Sequence, residues 1–294
     1  MSIMERILVG TDCSANSRAA FEWGALVAAR FEASMDVIHT WNTAYRHPEG
    51  LAKTFVTTVK ANEEQALKQF VSATKVRGPS KLRRRLEHGD AAMTILQVAM
   101  SGRFDLIVVG THGEGNATRV GLGSVADALA RRAPCPVLIV PPLARAAGPD
   151  GAAGDVPIKS LLMPVDLSDM AKTGISFGAD FAKGMDVAMT VIHASSGGEE
   201  RRWAETRMEE LARTPVSIPW TTRIEDGDPA TVIEGQLTTG KYDLLVLKAS
   251  GNEEGDIGPL TERLLRVHAC PILLLRKAFT LDASNGHARP LAPT

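Results

Sequence analysis

The chain has 294 residues, enough for two domains of ordinary size. Apolar residues make up 44% and charged residues 23%, a globular composition, and a formal net charge of -1 argues against broad nucleic-acid binding. Cys13, Cys135 and Cys270 stand far apart and give no disulfide framework or zinc motif, no leader-like segment opens the chain and no apolar stretch is long enough for a bilayer, so the expectation is a cytoplasmic protein without a membrane anchor.

Residues 7–9 (Ile-Leu-Val) form a continuous apolar run, the pattern of a parallel strand covered on both faces. Ser14 or Asn16 is placed to cap a helix over 17–30, with Phe21, Ala25 and Ala28 on its apolar side. A second strand follows at 37–39, and a long connection over 41–58 leads to a helix near 61–74. Leu82, Arg84 and Leu86 alternate with Arg83, Arg85 and Glu87, the period of a strand with one wet face. A helix over 91–100 precedes 106–109, the most apolar run and the natural central strand. A helix over 124–132, with Ser124 as hydroxyl cap, stops before Pro134, and 137–140 is the last strand of the unit.

The unit then returns. Residues 7–14 (ILVGTDCS) match 161–168 (LLMPVDLS), and Val37-Ile38-His39 match Val191-Ile192-His193 at the same displacement of 154. Residues 86–91 match 224–229 and 104–109 match 242–247, both displaced by 138, and 129–139 match 264–274. Five blocks in one order mark an internal repeat. The Ala, Gly and Pro-rich stretch 141–157 reads as the link between copies. The expected organisation is a first domain over 1–142, a linker over 143–157, a second domain over 158–280 and a loose tail over 281–294. Each unit reads βαβαβαβαβ, giving two doubly wound α/β domains.

One loop carries most of the chemistry. After the central strand come Gly110 and Gly113, nine further residues, and then Gly123-Ser124 at the start of a helix. Ligands of open α/β sheets bind beyond the carboxyl ends of strands, and the amides of Gly123, Ser124 and Val125 would offer donors to phosphate there. Asp12, at the first strand end, suits a ribose hydroxyl, the His39-Thr40 backbone an adenine edge, and Arg119 a terminal phosphate. Spacing alone leaves a second reading open, in which the loop is a turn before a capped helix and Asp12 and Ser14 are caps. The second copy has Lys248 where Gly110 stands, six intervening residues instead of nine, and Pro259 opposite Ser124, which removes an N–H and a hydroxyl. Glu253, Glu254 and Asp256 add like charge, so one nucleotide site per chain is expected.

These motifs, with the Asp12-x-Ser14 start, the Gly89 turn and the Pro134-Cys135-Pro136-Val137 entry to the last strand, make both halves resemble universal stress protein domains, and the whole resembles the family's tandem members. The resemblance covers roughly residues 3–141 and 158–276. It implies an α/β fold with two five-stranded parallel sheets of adenine nucleotide alpha hydrolase-like order 3-2-1-4-5. It also implies ATP, AMP or ADP, with or without Mg2+, held by Thr11, Asp12, His39, Thr40, Gly110, Gly113, Arg119, Gly123, Ser124 and Val125. Further implications are a stress-response role through ligand sensing or a protein partner, pairing of the halves through their last strands, and self-association beyond that intramolecular pseudo-dimer. Ala126 departs from a hydroxyl found at that place in many nucleotide-binding members. Two other functions stay open: a nucleotide-free scaffold, and a slow ATP hydrolase or phosphotransfer protein at most weakly active, since no catalytic acid, base or nucleophile is evident. His112 reads as a surface loop residue, and Lys75, Arg77, Lys81 and Arg83–Arg85 as a solvated basic edge.

Overall fold

The computed structural model describes residues 2–42, 53–73, 79, 81–113, 121–144, 158–168, 171–249, 256–267, 270–276, 279–281 and 288–290. The first half runs β1 (Arg6–Gly10), α1 (Arg18–Arg30), β2 (Ser34–Trp41), α2 (Lys53–Ser72), β3 (Leu82–His88), α3 (Ala91–Gly102), β4 (Leu106–Gly110), α4 (Ser124–Arg132) and β5 (Val137–Val140). The second repeats it with β6 (Ser160–Pro164), α5 (Ala171–Met185), β7 (Ala188–Ser195), α6 (Gly198–Ala212), β8 (Thr221–Asp226), α7 (Pro229–Thr238), β9 (Leu244–Lys248), α8 (Pro259–Leu264) and β10 (Ile272–Leu275).

The strands form one ten-stranded sheet in the order β3-β2-β1-β4-β5-β10-β9-β6-β7-β8. Each half is parallel and has the order 3-2-1-4-5 from its edge inward. The halves join where β5 and β10 pair antiparallel, Leu138 opposite Leu273. Continuous apolar runs are needed because both faces are covered. In β1, Ile7 and Val9 point into a core shared with α1, α2, α5 and α6, while Leu8 points into the other, with α3, α4, α7 and α8. Both cores cross from one half to the other, so neither half buries its apolar surface alone.

The repeated sequence blocks have repeated physical causes. The Asp105 carboxylate accepts from the amides of Glu5 and Arg6 at 2.8 and 2.9 Å, and Asp243 accepts likewise from Lys159 and Ser160, fixing the start of each first strand. Gly89 and Gly227 both adopt φ +143°, backbone open to glycine, before the caps Asp90 and Asp228, whose carboxylates accept from the Met93 and Thr231 amides.

The residue before α1 is Ser17, not Ser14 or Asn16, and its hydroxyl bonds Thr11 Oγ1 at 2.8 Å instead of capping the helix. At α4 the cap position belongs to Gly123, and no side chain caps the helix, so Ser124 is its first residue. Helix α2 begins at Lys53, inside the stretch expected to be a connection. Within the region expected to be a loose tail, Ala288–Pro290 pairs with Phe279–Leu281 in a small antiparallel ladder.

Candidate functional site

The carboxyl ends of β1 and β4 lie side by side, with Ile7 to Val9 paired to Leu106 to Val108. The loops that leave them meet above the sheet. Asp12 sits at the turn after β1, its Oδ1 accepting from the Ser14 amide at 3.0 Å and the Ser14 hydroxyl at 2.6 Å. That turn places Cys13 at φ 62°, and Leu167, its counterpart, at φ 57°. Asp166 accepts from the Ser168 amide in the same way, so the turn survives in both halves.

Gly113 lies directly over Asp12. A Cβ placed on Gly113 would come 2.5 Å from Asp12 Oδ2, so this contact tolerates only glycine unless Asp12 moves. Asn16 closes the junction from the α1 side, its Nδ2 donating to the Gly113 carbonyl at 3.0 Å. Asn16 has no repeat or spacing signal as a site residue; its role is set by a backbone carbonyl ninety-seven positions away in the chain. Gly110 is flanked by the Asn16 carbonyl and Ser17, and Gly123 by the Thr111 carbonyl and His112. Gly110, Gly113, Gly123 and Asp12 therefore form one cluster, although they come from three separate segments.

The amides of this cluster differ in what they have left to give. Gly123 N–H donates to the Thr111 carbonyl at 2.8 Å, which tethers the start of α4 to the exit of β4. The donor expected at Gly123 is thus spent within the loop. Ser124 and Val125, the first two residues of α4, carry the next amides of a helix start that has no capping side chain. Their N–H groups and the positive end of the helix dipole make this helix start a place suited to an anion. Ser124 is exposed and Val125 half-buried. Arg119 lies outside the described residues.

The end of β2 separates two residues that the sequence treats together. Even-numbered β2 residues turn their backbone toward β1: Ser34 N–H donates to the Glu5 carbonyl, and the Ile38 carbonyl accepts from Thr11 N–H at 3.0 Å. Odd-numbered residues turn toward β3, as Met35 N–H and the Trp41 carbonyl show by bonding Lys81 and Gly89. By this alternation Thr40 aims its N–H and carbonyl into the space beyond β1, where the β1–β2 ladder has ended at Gly10 and Ile38. His39 instead faces β3, and its ring is committed: Nδ1 bonds the Thr11 carbonyl at 2.9 Å and Nε2 meets Glu63 at 3.1 Å. His193 makes the matching pair with Val165 and Glu200. These histidines brace the β1 and β6 exits.

His112, expected at the surface, is buried, with Nδ1 at 3.1 Å from the Thr111 hydroxyl. Burial foremost, and then the negative charge of Asp12 and Glu63, pushes the Cys13 thiol up to about 11, which keeps it protonated at neutral pH. Among the described residues there is no group of three or more His, Cys, Asp or Glu side chains arranged for a metal, and no helix is long and apolar enough to cross a membrane.

The second half differs where the first is polar. Lys248 ends β9, and Pro259 is the first residue of a six-residue α8. The Gly258 amide is taken by Asp256 at 2.9 Å. Glu253 and Glu254 lie outside the described residues.

Known proteins share the family and the fold. A family model described as the Universal stress protein family matches residues 4–141. A universal stress protein of Thermus aquaticus is 31% identical over 139 residues, 47% of this chain and 99% of that one. A universal stress protein of Mycobacterium tuberculosis is 27% identical over 209 residues, 70% of this chain and 66% of that one, so the match spans slightly less than two thirds of the mycobacterial protein. In overall fold the chain is similar to the crystal structure of a universal stress protein from Archaeoglobus fulgidus, with a TM-score of 0.69, 18% identity, and coverage of 92% of this chain and 98% of that one.

Proposed function

The chain belongs to the universal stress protein family, and we propose that it binds one adenine nucleotide, ATP or AMP, in its first half as a sensing or regulatory ligand in the stress response. The observation that carries this reading is the packing of Gly113 onto Asp12 beside the uncapped start of α4. A carboxylate, a close backbone approach and the first amides of a helix then lie together at the switch point of the sheet. In this reading the phosphates rest on the Ser124 and Val125 amides and the Ser124 hydroxyl. Asp12 and the Thr11 turn hold the ribose, the Thr40 backbone meets the adenine edge, and Gly110 leaves room for the phosphate chain. Arg119 is assigned to the outermost phosphate. No hydrolytic step is assigned to the site.

The chain is read as two domains, 1–142 and 158–280, of which the second has forfeited the phosphate contacts. Equilibrium dialysis of the nucleotide-free chain against ATP and AMP tests the site. Gly113→Val, which drives a side chain into Asp12, and Ser124→Pro, which removes an amide and a hydroxyl, should each weaken binding at least tenfold while the thermal unfolding curve stays cooperative. Unchanged binding by both variants would reject the loop as the phosphate site. Absence of binding by the wild-type chain at millimolar nucleotide would favour a scaffold.

A further inference from the structure

The second half retains a cavity of about 420 Å3 at the carboxyl ends of β6, β7 and β9, lined also by residues of α5, α7 and α8. It lies within the size range of small-molecule sites, roughly 300–1,000 Å3. Its chemistry differs from that of the first half position by position. In the first half Thr11 and Ser17 bond one another through their hydroxyls, and Thr40 and Thr111 stand at the ends of β2 and β4. Their counterparts are Val165, Ala171, Ala194 and Ala249, and all four line the cavity. The paired loss of Thr11 and Ser17 matters most. Thr11 Oγ1 also accepts from the Cys13 amide and Ser17 Oγ donates to the Ser14 carbonyl, and the second half replaces both hydroxyls with apolar groups. The remaining wall includes Met163, Ile192, Ile233, Leu247 and Leu260. The polar lining groups include Ser168, Lys248 and Thr261 beside Asp166 and His193, and His193 is held by the Val165 carbonyl and Glu200. Asp166 stands exposed at the mouth with Oδ1 already accepting from Ser168.

We propose that this second-half cavity binds an uncharged, mainly apolar small molecule with a hydroxyl directed at Asp166, and that it does not bind a nucleotide. An apolar wall rewards buried hydrocarbon in proportion to its area, the Asp166 carboxylate at the rim accepts a hydrogen bond from a hydroxyl, and Lys248 in the same lining balances its charge, so no net charge is asked of the ligand. Pro259 and the Asp256-bound Gly258 amide withhold the donors that a phosphate would need. The proposal does not depend on nucleotide binding by the first half.

Photolabelling of the full-length chain with 4-(hydroxymethyl)benzophenone, a neutral aromatic alcohol that inserts into nearby C–H bonds, tests it without any substitution. The expected result is saturable labelling of one probe per chain, mapped by mass spectrometry to the β6 and β9 ends and to α5, α7 or α8, and unaffected by millimolar ATP. Ala194→Trp, which fills the cavity mouth, and Leu260→Glu, which puts a charge in its wall, should each lower the labelling at least tenfold. Gly113→Val should leave it unchanged. Labelling that is absent, scattered over the surface, displaced by ATP, or retained in both cavity variants overturns the proposal. ATP binding measured on the same samples reports on the first half separately.

Discussion

Asp12 and Gly113 come from loops a hundred residues apart, and the absence of a Cβ on one is what admits the carboxylate of the other. Gly113 is therefore more demanding than Gly110, whose added Cβ would make only ordinary contacts of 3.4 Å and beyond. Gly110→Ala should leave the melting temperature within a few degrees, so that any loss of affinity comes from the phosphate chain itself, whereas Gly113→Ala, which displaces Asp12, should lose at least tenfold in nucleotide affinity in dialysis. Beside them, Cys13 should be a slow nucleophile. With its thiol pushed up to about 11, alkylation by iodoacetamide should accelerate about tenfold per pH unit from pH 7 to pH 10, as followed by mass spectrometry. A rate that levels off near pH 8 would refute that environment. The glycines and Asp12 were legible in the sequence because few residue types can do their work and because a degraded second copy lay alongside. Asn16, Thr111 and the buried His112 were not, since each acts on a backbone or hydroxyl brought near only by the fold.

At the scale of elements, repeated caps and braces recur wherever the two halves align. Asp90 accepts from the Met93 amide at 3.0 Å, so Asp90→Ala should cost about 1 kcal/mol in urea unfolding, and Asp90→Asn much less. The α6 brace is pH-dependent. Hydrogen bonds from Ser195, and then His193, hold the Glu200 carboxyl below the usual carboxylate range. A carboxyl lowered by folding stabilises the native state fully above its unfolded pKa of about 4.3 and loses that contribution as pH falls through the lower folded value. Wild-type stability should therefore fall more steeply below about pH 4 than that of Glu200→Gln, and parallel curves would count against the brace. Element type and order could be read from periodicity, but ends could not. Helix α2 starts at Lys53 despite the poor formers Thr54, Val56, Thr57 and Thr58, because Leu67 and Phe70 bury its later turns and helix propagation carries the earlier ones.

Across the whole molecule, the two halves are held by more than the β5–β10 ladder. Phe31 packs on Phe181 with ring centroids 5.5 Å apart, and Arg131 of α4 reaches Glu262 of α8 at 2.6 Å. The Arg276 guanidinium bonds the carbonyls of Ala130 and Arg131 at the end of α4. A Cβ on Gly184 would come 2.3 Å from the Phe31 ring. Gly184→Leu should thus destabilise the chain by about 1–3 kcal/mol, although leucine is the better helix former. A gain in melting temperature would show that the α1–α5 contact is loose. The repeat made two similar halves legible in the sequence; the shared cores on both faces were beyond it, because which helices meet across the join depends on packing. On the function proposed above, the first half holds nucleotide and the second does not. Isothermal titration of the nucleotide-free chain with ATP counts the sites. The expected stoichiometry is one per chain, lost in Gly113→Val and kept in Ala194→Trp, whereas two per chain, or one that survives Gly113→Val, would contradict it.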